Sequence, residues 1–139
     1  MRVLITGASG FIGSQLARLL VREGHELYAL LRPESNRGRI QDLLPQMQVL
    51  DGDLLQPQGA WLEHLKAIQP ESCFHFAWYA EPGVFLSSPL NLRYLAASLR
   101  LAEGLELHRS RVMGVNRTMD EMLATVEPPK KTRVKSGFS

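Results

Sequence analysis

The sequence has little of what disulfide-stabilised, membrane-spanning or secreted proteins require. Its 139 residues include one cysteine, Cys73, which excludes an intrachain disulfide framework and agrees with a reducing compartment. No apolar run approaches the length of a membrane span. The N-terminus enters a predicted strand directly, without the basic and apolar regions of a signal peptide. These features predict a cytoplasmic protein in which Cys73 packs in the core.

Charges of the two signs nearly balance overall, but they are unevenly distributed. The chain carries 16 Lys and Arg against 14 Asp and Glu, a net charge of +2. Residues 1–107 hold nine basic and eleven acidic side chains, whereas residues 108–139 hold seven and three. The basic run at 130–135 follows two prolines and lacks interleaved aromatic residues, which argues against nucleic-acid binding and favours a solvated tail. We therefore predict a folded domain over 1–107 and a divergent basic segment, partly disordered, over 108–139.

Three glycines near the N-terminus, Gly7, Gly10 and Gly13, stand three residues apart. They follow an apolar run at 2–5, typical of a buried strand, and apolar residues recur at helical spacing from Ile12 onward. In such a unit the first glycine permits a tight turn, the second lets a pyrophosphate approach the backbone, and the third lets the helix pack closely. This order favours a phosphate site at the helix N-terminus over a turn that merely joins two elements.

Strand and helix patterns alternate along the chain, which is typical of βαβ units. We predict strands near 2–6, 26–31, 47–50 and 72–77, and helices near 11–23, 36–44, 59–68 and 89–106. Right-handed crossovers then give an α/β, Rossmann-like parallel sheet in the order 3-2-1-4, with helices on both faces. Residues 111–115 are a candidate fifth strand. The crevice of such a sheet opens at the carboxyl ends of strands one and four.

The helix predicted over 89–106 has an apolar face that we expect to pack on the sheet. Its members are Leu92, Leu95, Ala96, Leu99 and Ala102. Asn91, near the start of this helix, has two interpretations that the sequence leaves open. It either makes a polar contact to a ligand or caps the helix N-terminus.

Three segments together resemble the extended short-chain dehydrogenase/reductase family, which includes nucleotide-sugar epimerases and dehydratases. Residues 6–13, TGASGFIG, match the family signature TGxxGFIG at every specified position. Residues 51–54, DGDL, resemble the acidic turn after the third strand. Residues 73–83 resemble the fourth strand and the turn beneath the cofactor's ribose and nicotinamide. The resemblance covers about the first hundred residues and ends at Leu107.

The resemblance implies an NAD(P) cofactor and a set of residues that bind it. These are Gly7, Ser9, Gly10, Phe11, Ile12, Gly13, Arg32, Asp53, Leu54, Ala77 and Trp78. Within this set Asp53 is placed to hydrogen-bond the adenine. Trp78 and Tyr79 are placed on the nicotinamide side, with apolar packing as the alternative.

The residue after the second predicted strand favours NADP over NAD. An NAD-specific site normally has Asp or Glu at this point to accept hydrogen bonds from the ribose hydroxyls. Here the strand ends in Leu31-Arg32, and a guanidinium pairs well with a 2′-phosphate. Arg37 and Arg39 are candidates for additional charge. The alternative interpretation is that Arg32 is a solvated loop residue.

The family's catalytic Tyr-x-x-x-Lys pair does not occur in this sequence. The residues four positions after Tyr28, Tyr79 and Tyr94 are Arg32, Gly83 and Ser98. We therefore predict no catalytic residues, and the scattered histidines predict no metal site. The expected function is an NAD(P)-binding domain of the epimerase, dehydratase and reductase type, truncated before the catalytic pair. The alternatives are a non-catalytic NAD(P)-sensing or interaction module, or a remnant of a full-length epimerase.

The expected partners follow from the same resemblance and from the predicted sheet. They are a dinucleotide cofactor and, only when another chain completes the site, a nucleotide-sugar substrate. In the family the helix that corresponds to 89–106 is often an oligomer surface. A sheet that ends at strand four also leaves an edge that promotes association. We therefore expect a homo-oligomer, or association through the sheet edge, and no membrane partner.

Overall fold

Strands and helices alternate through the chain and build one parallel sheet. The computed structural model describes residues 1–56, 58–78, 87–106 and 111–113. Its elements are β1 (Arg2–Thr6), α1 (Phe11–Arg22), β2 (Glu26–Leu31), β3 (Gln48–Asp51), α2 (Trp61–Ile68), β4 (Ser72–His75), α3 (Leu90–Glu106) and β5 (Arg111–Met113). The fold class predicted from the sequence is confirmed.

The five strands lie in the order β3-β2-β1-β4-β5, and every pair is parallel. The predicted order 3-2-1-4 is therefore correct, and the candidate fifth strand forms beside β4. Thr6, at the end of β1, lies opposite Leu30 of β2 and His75 of β4. Because all strands run in one direction, their carboxyl ends meet at one edge, as the predicted crevice requires.

Helices cover both faces of the sheet. On one face α1 buries Leu16, Ala17 and Leu20 against Val3 and Ile5 of β1. On the other face α2 and α3 bury a second cluster, which consists of Leu4, Tyr28, Leu30, Leu54, Trp61, Leu65, Cys73, Ala97, Leu101 and Leu105. Cys73 is completely buried, as the sequence predicted. Gly24 follows α1 with φ of 82°, the left-handed conformation that glycine adopts readily at the end of a helix.

The helix predicted over 36–44 is wrong, because two short 3-10 turns occupy this region. They span Gly38–Ile40 and Leu44–Gln46. Only Ile40 and Leu43 are buried there, and their spacing of three residues suits i to i+3 hydrogen bonding. Asn36 Oδ1 also accepts from the Gly38 amide at 2.9 Å, and this local bond competes with a helical turn.

The predicted buried face of α3 is also wrong. Leu92, Leu95 and Leu99 are exposed by 73%, 49% and 63%, and Ala96 is exposed as well. The helix instead buries Ala97, Leu101 and Leu105. Since both sets recur at helical spacing, the period alone does not tell which face meets the sheet. No helix in the described part of the chain is long and apolar enough to cross a membrane.

Candidate functional site

A pocket opens at the carboxyl ends of β1, β2, β3 and β4. It is lined by Gly7, Ser9, Gly10, Leu30, Leu31, Arg32, Ser35, Gly52, Asp53, Leu54, Phe76, Ala77, Trp78 and Tyr94. Eight of the eleven residues predicted to bind a cofactor are therefore brought together from four strand ends. The other three, Phe11, Ile12 and Gly13, belong to the first turn of α1 and do not line the pocket.

The glycine turn after β1 is packed so closely that two of its glycines cannot carry a side chain. Gly7 has φ of 73°, and a Cβ there would lie 2.7 Å from the Phe76 carbonyl carbon and 2.8 Å from the Ala77 nitrogen. A Cβ at Gly13 would lie 2.1 Å from the Gly7 oxygen. At Gly10 the nearest such atom is the Gly7 oxygen at 3.3 Å. Gly10 is thus the position of the three where a small side chain can enter the pocket without breaking the turn.

The N-terminus of α1 begins at this turn. Gly10 is the N-cap residue, and no described side chain caps the helix with a hydrogen bond. The first turn also contains no acidic residue. The leading N–H groups of a helix have no intrahelical partner and carry partial positive charge, so this end suits an anion. Ser9 and Gly10 line the pocket at this point.

The acidic turn after β3 forms a second wall of the pocket. Asp53 Oδ1 accepts a hydrogen bond from the Leu55 amide at 2.9 Å, which holds the carboxylate in place. The Gly52 amide donates to the Leu31 carbonyl at 2.9 Å, so the turn is tied to the end of β2. The side chain of Leu54 is buried beside them. This wall therefore combines one carboxylate with an apolar surface.

Arg32 lies on the same side of the pocket, directly after β2. Its side chain is half-exposed, with Nη1 at 3.8 Å from Glu34 Oε1. Ser35, which the sequence analysis did not single out, also lines the pocket and donates to the Arg32 carbonyl at 2.7 Å. Arg37 is paired with Asp51 at 2.7 Å, and neither Arg37 nor Arg39 lines the pocket. Arg32 is therefore the cation of this group that stands at the pocket wall.

Aromatic side chains form the opposite end of the pocket. The rings of Trp78 and Tyr94 lie with centroids 5.8 Å apart and planes tilted by 34°. Trp78 Nε1 donates to Asn91 Oδ1 at 3.0 Å, whereas the hydroxyl of Ser88 accepts from the Leu90 amide before the first turn of α3. Asn91 therefore contacts Trp78 at the pocket, and the hydroxyl of Ser88 is a hydrogen-bond acceptor at the start of α3. Tyr79, the other residue expected on this side, lies outside the described residues.

A partly buried polar cluster lies beneath the pocket, between β1, β4 and α3. Thr6 Oγ1 is 2.6 Å from His75 Nδ1, and His75 Nε2 is 2.7 Å from Ser98 Oγ. The Ala77 amide donates to Thr6 Oγ1 at 3.2 Å, and Ser98 Oγ donates to the Tyr94 carbonyl at 2.8 Å. Burial lowers the pKa of the His75 imidazole, which keeps the ring neutral.

Six lining residues were missed by the sequence analysis. These are Leu30, Leu31, Ser35, Gly52, Phe76 and Tyr94. Most of them adjoin predicted site residues at strand ends, so the strand assignment contained the signal. Tyr94 carried no such signal, because it belongs to a helix distant in sequence from the other lining residues. Among the described residues, no three His, Cys, Asp or Glu side chains lie together so as to hold a metal ion.

One family model covers the glycine turn, the acidic turn and the parallel sheet. The model of the NAD dependent epimerase/dehydratase family matches residues 3–131. The chain belongs to this family. The family model matches residues beyond Leu107, the position at which the resemblance of the sequence motifs ends.

The chain is also similar to individual proteins and solved structures. The UDP-glucose 4-epimerase of Klebsiella pneumoniae is 28% identical over 145 aligned positions, which cover 98% of this chain and 100% of that sequence. The uncharacterized protein YLL056C of Saccharomyces cerevisiae is 44% identical over 54 residues, which cover 39% of this chain. The structure of the Bordetella bronchiseptica enzyme WbmG in complex with NAD has the same fold, with a TM-score of 0.65 and 21% identity over 82% of this chain.

Two of these relatives are much longer than the segment they share with this chain. The alignments cover 18% of the yeast protein and 36% of the Bordetella enzyme. Activities that belong to whole family members are therefore matters of proposal for this chain.

Proposed function

We propose that this chain binds an NAD(P) dinucleotide in the pocket at the strand ends, as the cofactor domain of a nucleotide-sugar epimerase or dehydratase. The observation that carries the proposal is the N-terminus of α1, which no described side chain caps and which meets the pocket at Gly10. A pyrophosphate is the ligand group that such a helix end and glycine turn bind.

In this proposal the two ends of the pocket hold the two ends of the dinucleotide. With the pyrophosphate at Gly10, the adenosine extends toward the wall formed by Arg32, Asp53 and Leu54. The nicotinamide extends toward the opposite end, where Ala77, Trp78 and Tyr94 line the pocket. Aromatic side chains offer a flat apolar surface for the nicotinamide ring. The division of the chain at residue 107 is part of this proposal, since the lining residues that the structure describes all precede it.

Calorimetric titration with NADH and NADPH tests the proposal, and Gly10→Ala is the informative variant. Outside its chain neighbours, the nearest described atom to an added methyl group is the Gly7 oxygen, 3.3 Å away, and the backbone of Gly10 is extended, with φ of −77°. The variant should therefore fold while its methyl group obstructs the pyrophosphate. We expect the parent to bind and Gly10→Ala to lose at least roughly tenfold in affinity, the scale of one charge-assisted hydrogen bond.

Gly104→Ala is the matched control for this titration. A Cβ there makes ordinary contacts with Leu62 and Leu65, at 3.6 and 3.8 Å, and the position is remote from the pocket. This variant should bind like the parent. Absence of binding by the parent contradicts the proposal, and unchanged affinity in folded Gly10→Ala contradicts the assigned site.

We further propose that Arg32 gives the pocket a preference for NADP(H). The guanidinium stands half-exposed at the wall, and the Glu34 carboxylate at 3.8 Å is its described ion-pair partner. Removing the guanidinium by Arg32→Ala should weaken NADPH binding by roughly fivefold, because an exposed charge pair contributes about 1 kcal/mol. NADH binding should change less. The dissociation constants of both cofactors measure this.

Glu34→Gln is the control for the Arg32 experiment. It removes the carboxylate that competes for the guanidinium while leaving Arg32 in place. NADPH should therefore bind at least as tightly as in the parent. A preference for NADPH that survives Arg32→Ala, or equal affinities in the parent, contradicts the assignment of Arg32.

The proposed activity of this chain is cofactor binding, because no tyrosine in the sequence is followed four positions later by lysine. The proposed substrate class of a completed site is a nucleotide sugar, as the Klebsiella relative's name indicates. The exposed leucines of α3 support association with a second copy of the chain. The cytoplasmic location predicted from the sequence stays a prediction.

A further inference from the structure

A continuous chain of hydrogen bonds connects the glycine turn to α3 beneath the pocket. It runs from the Ala77 amide to Thr6, from Thr6 to His75, from His75 to Ser98, and from Ser98 to the Tyr94 carbonyl. Thr6 is completely buried, and Ala77 and Tyr94 line the pocket. Thr6 also directly precedes Gly7. The chain therefore links three parts of the pocket through one imidazole ring.

The donors and acceptors of this chain have a single consistent direction. Ser98 uses its one hydroxyl proton for the Tyr94 carbonyl at 2.8 Å, so its oxygen accepts from His75 Nε2. A neutral ring that is protonated on Nε2 has Nδ1 as an acceptor, and the Thr6 hydroxyl donates to it. The Thr6 oxygen meanwhile accepts from the Ala77 amide. His75 thus accepts a hydrogen bond at Nδ1 and donates one at Nε2.

We propose that His75 is a positioning residue for the dinucleotide pocket, holding the Ala77 backbone and α3 at a fixed distance from the glycine turn through Thr6 and Ser98. This inference rests on the proposed function, because the pocket is positioned for the cofactor named there. Its effect on binding passes through other residues, since His75 itself does not line the pocket.

The tight packing at the turn explains why such positioning matters. The backbone of Gly7 approaches Phe76 and Ala77 so closely that a Cβ would lie within 2.8 Å of both. When His75 no longer accepts from Thr6, the buried Thr6 hydroxyl loses its acceptor and is free to turn away from the Ala77 amide. The glycine turn and the end of β4 then lose the side-chain bond that joins them.

Two substitutions at position 75 separate the two ends of the ring. The amide of His75→Asn has its oxygen near the position of Nδ1, so it still accepts from Thr6 while the bond to Ser98 is lost. The amide of His75→Gln reaches toward Ser98 and leaves Thr6 without its acceptor. We expect His75→Gln to bind the preferred cofactor roughly tenfold more weakly than the parent, the effect of one buried group left unpaired. We expect His75→Asn to stay within about threefold of the parent.

Hydrogen exchange at the Ala77 amide is the second measurement, and it does not depend on a cofactor. In the parent and in His75→Asn this amide should exchange slowly, and in His75→Gln it should exchange fast. If the role of His75 were purely structural, both variants would have a lower unfolding temperature. They would then not differ from each other in cofactor affinity or in exchange at the Ala77 amide. His64→Asn, an exposed histidine of α2, is the matched control and should behave like the parent in both measurements.

The outcomes distinguish this inference from the function on which it rests. A parent that binds neither NADH nor NADPH overturns the proposed function and the inference together. A parent that binds, with equal affinities in folded His75→Gln and His75→Asn, overturns the positioning role alone. Where His75→Gln does not fold at 10 °C, Thr6→Val removes the same bond with a side chain of the same shape, and the same loss of affinity is expected.

Discussion

At the scale of single residues, the three glycines of the TGASGFIG segment are required for different reasons. Gly7 needs a positive φ and close contact with the end of β4. Gly13 lets α1 start against the turn, where a Cβ would overlap the Gly7 oxygen. Gly10 has an extended backbone and comparatively open space, so the proposed ligand is the remaining reason for glycine there. Identical residues in one motif thus serve the fold at two positions and the proposed pyrophosphate at the third.

Cys73 allows a direct test of burial in the core. The chain has a single cysteine, and burial alone raises the pKa of its thiol to about 12. At pH 8 the thiolate, which is the reactive form, is therefore scarce as well as inaccessible. We expect no reaction of native protein with an aromatic disulfide reagent over minutes, and one equivalent of reaction after denaturation. Rapid labelling of native protein would show that β4 is not buried as described.

At the scale of elements, α3 is distinctive because apolar residues lie on two of its faces. One face buries Ala97, Leu101 and Leu105 against the sheet and α2. The other carries Leu92, Leu95, Ala96 and Leu99, which are exposed in the single chain. Exposed apolar patches of this kind are typical of association surfaces. Under the proposed function, a second copy of the chain binds to this exposed face of α3.

Substitution of one exposed leucine of α3 should weaken this association. Leu99 is 63% exposed in the single chain, so Leu99→Lys leaves the fold intact. Burial of a leucine side chain contributes about 1.5–3 kcal/mol, and its loss should weaken dimerisation by at least roughly tenfold. Sedimentation velocity over a range of concentrations measures the change.

The control for this experiment is Gln15→Lys, which adds the same charge at an exposed position of α1. It should associate like the parent protein. A parent that sediments as a monomer at all concentrations, or a Leu99→Lys variant that associates normally, would contradict the assigned surface.

At the scale of the whole molecule, His75 makes stability depend on pH. Burial lowers its pKa below the ordinary histidine value of 6.5, so the unfolded chain binds a proton at a higher pH than the folded protein does. Above pH 6.5 the ring is neutral in both states and its contribution to stability is fully present. As the pH falls from 6.5 through the folded-state pKa, this contribution is progressively lost.

Urea denaturation at pH 7.5 and at pH 5 measures this dependence. The parent should be less stable at pH 5, partly through His75, and the drop should be smaller in His75→Asn, where no group titrates at position 75. His64→Asn, which replaces an exposed histidine of α2, is the matched control for this comparison. An equal pH dependence in the parent and in His75→Asn would show that the His75 pKa is not lowered on folding.

Much of the fold follows from local patterns. Apolar runs predicted β1, β2, β3 and β4 to within a few residues, and the connection rules of parallel sheets then predicted their order. The family resemblance implied that Arg32, Asp53 and Ala77, from different parts of the chain, bind one cofactor, and all three line one pocket. Strand ends carry this information, because a residue's place along a parallel strand determines the edge of the sheet at which it lies.

What the sequence by itself determined was the alternation of strands and helices, the glycine turn and the family to which they belong. Only the tertiary structure decided which face of α3 is buried, that 36–44 forms 3-10 turns, and that Tyr94 and Ser98 meet residues of β1 and β4. The physical reason is the range of the interactions. Turn geometry and apolar period act between neighbours in the chain, whereas helix phase and the Thr6–His75–Ser98 bonds depend on elements that pack together from distant positions.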